Sequence, residues 1–295
     1  MYVPNFSPLF CAYCTFLPSR YPILPLPFQY STVLPPVEQR FSSAGNRGHR
    51  PVGCNLPPSR YNNKKEKAVT DMANRLKLKD RLLPPYSRSE EIMNMVTHIV
   101  GGGIGIAALV LCIFKTVRSG NIYGLVGSVI YGITMICLYS ISSIYHGLRP
   151  STGKKVMQVL DHCTIYFLIC GTYTPILLSS FVPVYPFLGW GLLAAEWVLA
   201  ILAATLTAID LKKYNIFSMI CYIAMGWGIV FFLPQAMQVL TWPGFLVLLS
   251  GGIAYTVGAV LYGIGAKKQW FHSVFHIFVV LGSLLQFLAI LLYSL

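Results

Sequence analysis

Residues 270–294 read WFHSVFHIFVVLGSLLQFLAILLYS. The run is apolar and of membrane length, since about 20 helical residues cross the hydrocarbon core. Two histidines, His272 and His276, stand one helical turn apart at its start. Ionisable groups inside lipid-spanning helices are costly and usually persist for a function. This segment therefore sets both the class of fold and the place to look for chemistry.

Working outward, similar runs recur back to residue 90. They are expected at about 93–115, 122–146, 160–182, 187–209, 214–235 and 243–265, with the last at about 270–294. Each is near the length a membrane helix needs, and the connections are short, so consecutive helices should be antiparallel neighbours. Composition agrees. The 295 residues are 55% hydrophobic and only 11% charged, with mean hydropathy +0.63, against about 25% charged in soluble proteins. The expected fold is all-α: a polytopic membrane protein of seven transmembrane helices over residues 93–295.

Ahead of the spans the chain changes character. Eleven prolines precede residue 60, interleaved with Ser, Arg and Asn, and no helical or strand period is sustained. Residues 1–71 read as a disordered, Pro-rich extension. Met72-Ala73-Asn74-Arg75 would be an ordinary start for a membrane protein, so a misplaced start codon upstream is one expectation. Residues 72–92 read as a basic amphipathic cytoplasmic lead. Cys11 and Cys14 form an isolated CxxC, which reads as a chance pair; the five cysteines from Cys112 onward read as small packing residues.

Charge orients the bundle. Residues 1–88 hold 13 Lys and Arg against four acids, and the net charge is +13. Beyond that lead, Arg149, Lys154, Lys155, Lys212, Lys213, Lys267 and Lys268 fall in the connections after spans two, four and six. Only Lys115 and Arg118 fall on the other side. Basic loops stay cytoplasmic, which puts the N-terminus inside and the C-terminus outside, in the cell (inner) membrane. The positive charge suits anionic lipid headgroups. No nucleic-acid-binding module accompanies it, so no nucleic-acid partner is expected.

With that orientation, His146 at the end of span two, Asp161 at the start of span three, and His272 and His276 at the start of span seven reach one membrane face. None of these residues was used to set the topology. A catalytic zinc takes three protein ligands and keeps a position for water, and residues four apart share a helix face. His146, His272 and His276 are thus the expected ligands of Zn2+. Asp161 is the expected general base and then acid. Ser142, one turn before His146, is placed to hold a substrate carbonyl or the water. Alone, a histidine pair near a helix end reads as readily as packing; it is the joint arrangement that points to a metal.

Other polar residues carry weaker expectations. His162 points about 100° away from Asp161 around the helix and is a poor co-ligand. Glu91, Asn94 and His98 open span one on the same side, as supports around the ligands or a helix-capping network. Glu196 lies mid-span without an ion partner. Gly101 and Gly105 form GxxxG, read as close helix packing; Gly103-Ile104-Gly105 imitates a dinucleotide motif but lacks the strand that motif requires. Pro175 is expected to kink span three.

Ser142-x-x-x-His146, Asp161-His162 with Gly171-Thr172-Tyr173-Thr174-Pro175 downstream, His272-x-x-x-His276, and the Glu91…Asn94…Thr97-His98 opening together resemble the bacterial hemolysin III family. That family is related to the progestin and adipoQ receptors, in a superfamily that includes alkaline ceramidases. The resemblance covers roughly residues 88–295. It implies seven helices, a cytoplasmic-side zinc on His146, His272 and His276, Asp161 and Ser142 around the bound water, and lipid-amide hydrolysis. The family's name implies lysis of red cells by a pore instead.

The leading expectation is zinc-dependent hydrolysis of a membrane-lipid amide or ester. The alternatives are a pore-forming hemolysin, or a receptor-like membrane-homeostasis protein in which zinc is not catalytic. A retinal protein is set aside because span seven lacks a lysine. A G-protein-coupled receptor is set aside because its N-terminus would lie outside.

Overall fold

The computed structural model describes residues 78–265 and 268–295. The Pro-rich extension, the start at Met72, the Cys11–Cys14 pair and Lys267 lie outside the described residues.

The described residues form helices joined by short turns, with no strand among them. The helices are α1 (Arg88–Ser119), α2 (Ile122–Gly147), α3 (Thr152–Ile176), α4 (Pro186–Ile209), α5 (Asn215–Gly226), α6 (Leu233–Gly265) and α7 (Phe271–Ala289). Both α3 and α7 run on into a wider π turn, at Leu177–Phe181 and Ile290–Ser294, and a 3-10 turn at Gly228–Phe232 joins α5 to α6. Pro175 lies within α3, two residues before its π turn.

The ends are set by local chemistry. Ser87 caps α1 in a reciprocal box: Glu90 N–H donates to Ser87 Oγ at 3.3 Å, and Ser87 N–H donates to Glu90 Oε2 at 2.9 Å. Gly120 ends α1 at φ 68°, a conformation that costs a glycine little. Asn121 and Ser151 cap α2 and α3 by accepting from Gly124 N–H and Lys154 N–H. Pro186 starts α4, where a missing N–H is harmless.

Two boundaries differ from expectation. α1 begins at Arg88, so residues 88–92 of the expected lead belong to the first helix. α3 begins at Thr152 rather than near 160. Lys154, read as a loop charge, is instead a buried helical residue, 3% exposed. A carboxylate from α1 makes that burial tolerable, as described below.

Six helical stretches among the described residues are long and apolar enough to cross a membrane. One of them, Asn215–Ile264, has 50 residues, more than twice the length a crossing needs. It is not a single rod. Thr241 has non-helical φ 62° and ψ 163°, two residues before Pro243. Trp227 Nε1–H donates to Thr256 Oγ1 at 2.9 Å although 29 residues separate them; a straight helix would hold those residues about 44 Å apart. The chain therefore doubles back around Thr241.

α1 packs along α2, α2 along α3, and α3 along α4; α6 packs along α7, and α7 closes against α1. α3 is central: 72% of its apolar window is buried, against 28% for α1. The GxxxG pair lies where α1 meets α2. A Cβ on Gly105 would sit 3.1 Å from Ile136 Cγ1 and 3.3 Å from Met135 Cγ, and one on Gly101 would strike the Tyr139 ring. Small residues thus let the two helices approach closely. At the end of α2 far from His146, Asn121 Nδ2–H donates to Ser179 Oγ at 2.7 Å, Ser179 Oγ–H donates to the Ser294 carbonyl at 2.8 Å, and the Ser180 and Ser294 hydroxyls pair at 2.9 Å. Lys115 Nζ donates to the Leu291 carbonyl at the same end. These bonds tie α1, α2, α3 and α7 together there.

Candidate metal centre

Three helix ends meet at the other end of the bundle. His146 closes α2, Asp161 lies in the third turn of α3, and His272 and His276 occupy the first two turns of α7. One ring nitrogen from each of His146, His272 and His276 lies within 4.8 Å of the other two. His272 Nε2 and His276 Nε2 are 3.0 Å apart. Tetrahedral zinc with Zn–N bonds of 2.0–2.1 Å separates its nitrogens by about 3.4 Å, so the pair is near ligand spacing.

The surroundings of His146 suit a metal ligand. Its Nδ1–H donates to Glu91 Oε2 at 2.6 Å, while its Nε2 is buried without a hydrogen-bond partner. A carboxylate on one ring nitrogen fixes the tautomer, turns the ring and leaves the other nitrogen's lone pair free for a metal. Glu91 reaches this position from the first turn of α1, directly after the capping box. Its second oxygen accepts from Lys154 Nζ at 2.7 Å. Lys154 also donates to the Leu148 carbonyl at 2.9 Å and lies 5.1 Å from the Tyr145 ring centre. The Asn94 amide nitrogen is 3.4 Å from His146 Nδ1.

His276 is 1% exposed, and its ring lies 3.8 Å from that of His98. Both His98 nitrogens are buried without partners, and its ring meets Tyr139 edge-on at 5.0 Å. Tyr139 OH in turn donates to Ser283 Oγ at 2.7 Å. The residues that open α1, expected as supports or caps, thus surround two of the three imidazoles: Glu91 and Asn94 at His146, His98 at His276.

His272 and His276 line one end of a cavity of about 170 Å³. Asp161, Ser142, His98, His272 and His276 line its polar end. Ile165, Leu168, Ile169 and Ile176 of α3 and Phe245 and Leu248 of α6 supply much of the rest, with Thr172, Tyr173, Thr256 and Gln286 among them. From Asp161 to Ile176 the helix rises about 22 Å, so the apolar part is deep. Asp161 is half-buried and Ser142 fully buried, with the Ser142 hydroxyl beside the Asp161 carboxylate. His162 Nδ1–H donates to the Gln158 carbonyl at 2.8 Å and stays out of the trio. Glu196 lies away from the centre; it is 7% exposed and its Oε2 makes no hydrogen bond.

The donor set fits a metal ion. Two neutral imidazole nitrogens 3.0 Å apart need a shared proton or a cation between them, and the third nitrogen has no partner of its own. Two residues of the surroundings carried no sequence signal. Glu90, adjacent to Glu91, accepts from the Trp270 N–H at 2.7 Å. Tyr86 stacks on the His272 ring with centres 4.7 Å apart and planes 14° apart. Only an aromatic near the start of a helix and a second glutamate beside Glu91 hint at them.

A family model described as Haemolysin-III related matches residues 86–287. The chain is similar to hemolysin-3 of Bacillus cereus, 37% identical over 206 residues that cover 70% of this chain and 92% of that protein. The hemolysin-3 homolog of Bacillus subtilis (strain 168) is 34% identical over 208 residues, covering 70% and 96%. A more distant likeness joins it to human monocyte to macrophage differentiation factor, 24% identical over 169 residues, covering 55% and 67%. No solved structure matches the chain. The extent of the family match and the two Bacillus relatives place this chain in the Haemolysin-III related family of multi-pass membrane proteins.

Proposed function

We propose that this protein hydrolyses an amide or ester bond of a membrane lipid, with zinc held by His146, His272 and His276. The observation that carries this reading is the meeting of three imidazoles, a carboxylate and a hydroxyl at one end of a long, mostly apolar cavity. Seven crossings, with the histidine end at the cytoplasmic face of the cell membrane, complete the proposal. The reversal at Thr241 supports the count of crossings, and Lys212 and Lys213 in the turn between α4 and α5 support the orientation.

Zinc bound there supplies Lewis acidity to water and to the scissile carbonyl. Asp161 takes the proton that water gives up on attack and returns it to the departing amine or alcohol. Ser142 donates its hydroxyl to the carbonyl oxygen as negative charge grows on it. Glu91 keeps the His146 ring turned and its tautomer fixed. The apolar walls from Ile165 to Ile176 receive an acyl chain and exclude water from beyond the reacting bond. One water is consumed, the acyl bond is cleaved, and a fatty acid and an amine or alcohol leave.

The test is release of fatty acid from a lipid amide in mixed micelles by purified protein, with Asp161→Asn compared at equal zinc content. Wild type should release fatty acid and the variant should not. Equal release from both, or none from wild type across lipid amides and esters, would refute hydrolysis.

The name of the Bacillus relatives suggests a second reading, cytolysis through a pore. A pore needs a polar lining across the bilayer, whereas beyond the histidine end the cavity walls are mostly apolar, with Thr172, Tyr173, Thr256 and Gln286 as scattered polar groups. Leakage of dye from vesicles containing the protein would favour the pore. Zinc binding without leakage or product would favour a receptor-like role.

A further inference from the structure

The three imidazoles are not held alike. His146 has a hydrogen bond from Nδ1 to Glu91. His276 also lacks a hydrogen bond at Nδ1, but it is fully buried and packed against the His98 ring. His272 is only half-buried, and its Nδ1 makes no hydrogen bond. Histidines that bind metals are nearly always turned by a hydrogen bond from the nitrogen that does not face the metal. Nothing of that kind turns His272.

What touches the His272 ring instead is aromatic. Tyr86 lies parallel to it at 4.7 Å, while Tyr262 and Phe275 meet it tilted at 5.5 and 5.7 Å. The Tyr86 ring centre is also 6.0 Å from that of His146, so one phenol ring spans two of the three imidazoles. Tyr86 belongs to the segment that precedes α1. That segment begins with a short turn, Leu78–Asp80, packed on α3, and ends at the cap Ser87.

One carboxylate joins the two segments concerned. Glu90 Oε2 accepts from the N–H of Ser87, the residue after Tyr86. Glu90 Oε1 accepts from the N–H of Trp270, two residues before His272. Glu90 is 4% exposed, and Trp270 adopts the left-handed φ of 68° that turns its N–H toward it. The main chain on either side of the Tyr86–His272 stack is thus clamped to the same side chain.

We propose that Tyr86 is a positioning residue of the metal centre, holding the His272 ring by stacking where no hydrogen bond does, with Glu90 as the clamp that sets the stack. The proposal rests on the metal reading of the three histidines. It concerns the ring of Tyr86 and not its hydroxyl, so phenylalanine should replace it and alanine should not.

The test uses the full chain in detergent: wild type, Tyr86→Phe, Tyr86→Ala, Glu90→Gln and His272→Ala. Two quantities are read. One is zinc affinity, by competition with a chromophoric chelator. The other is the rate at which diethyl pyrocarbonate modifies His272 in metal-free protein, mapped by mass spectrometry. Tyr86→Phe should stay within about two-fold of wild type in both. Tyr86→Ala should bind zinc about 10-fold more weakly, the lower end for loss of a residue that orients a ligand, and its His272 should be modified faster. Glu90→Gln, which removes no ring but cannot accept at both positions, should shift both readings the same way by less. Wild-type affinity and an unchanged modification rate in Tyr86→Ala would overturn the proposal while leaving the metal site standing. Loss in Tyr86→Phe equal to that in Tyr86→Ala would overturn it too, by assigning the role to the hydroxyl. If wild type binds no zinc, the metal reading falls, and the modification rates alone decide whether Tyr86 holds the ring.

Discussion

Glu91 serves two partners at once, and removing it should produce two separable losses. Its oxygens lie 2.6 Å from His146 Nδ1 and 2.7 Å from Lys154 Nζ. The side chains of His146 and Lys154 are 0% and 4% exposed, and that of Glu91 is 18% exposed. Glu91→Ala leaves the Lys154 ammonium with the Leu148 carbonyl and the Tyr145 face alone. Breaking a buried ion pair from one side costs about 3–5 kcal/mol; the partial exposure of Glu91 argues for the lower figure. Separately, His146 loses the acceptor that turns its ring. Loss of such a partner weakens metal binding about 10–100-fold, or about 1.4–2.8 kcal/mol. The double variant Glu91→Leu/Lys154→Met tells the two apart. It leaves no buried charge unpaired, so thermal stability in detergent should return close to wild type. Zinc affinity should remain low, because the leucine side chain offers His146 Nδ1–H no acceptor. Both quantities are read on one preparation, by thermal unfolding of the metal-free protein and by chelator competition. If the double variant recovers affinity together with stability, Glu91 acts only through the fold, and the reasoning about His146 is refuted.

Two further outcomes test the packing and the path of the chain. Gly105→Leu should destabilise the protein by about 1–3 kcal/mol through overpacking against Ile136 and Met135; an unchanged melting temperature would show that α1 and α2 do not depend on that contact. In a cysteine-free background, Thr241→Cys should be labelled by an impermeant reagent from the face opposite to Lys212→Cys, since the chain reverses at Thr241; labelling of both from one face would remove the crossing between them.

Much of this arrangement is legible in the residues, because lipid imposes a simple rule on length and polarity. Spans one to four and seven emerge from apolar runs between capped turns, and the trio of His146, His272 and His276 from their positions at span ends. The region from Asn215 to Gly265 is harder. Its apolar run is interrupted not by a polar loop but by a 3-10 turn at Gly228–Phe232 and a non-helical Thr241. At the first break Tyr173 OH accepts the Ile229 N–H and donates to the Gly226 carbonyl. That partner comes from α3, out of sight of any local pattern. Lys154 misleads for a related reason: a lysine reads as loop until the carboxylate 63 residues away is known. Tyr86 and Glu90 belong to the same class, since their roles depend on where α7 begins relative to α1. Distant pairings of this kind leave no period in the sequence.

The central claim is that three imidazoles hold one metal ion. The most direct test is the zinc content of detergent-purified protein, prepared without chelators, beside the His272→Ala/His276→Ala variant. Wild type should hold about one zinc per chain and the variant none. Wild-type protein without zinc, or a variant that retains it, would contradict the account.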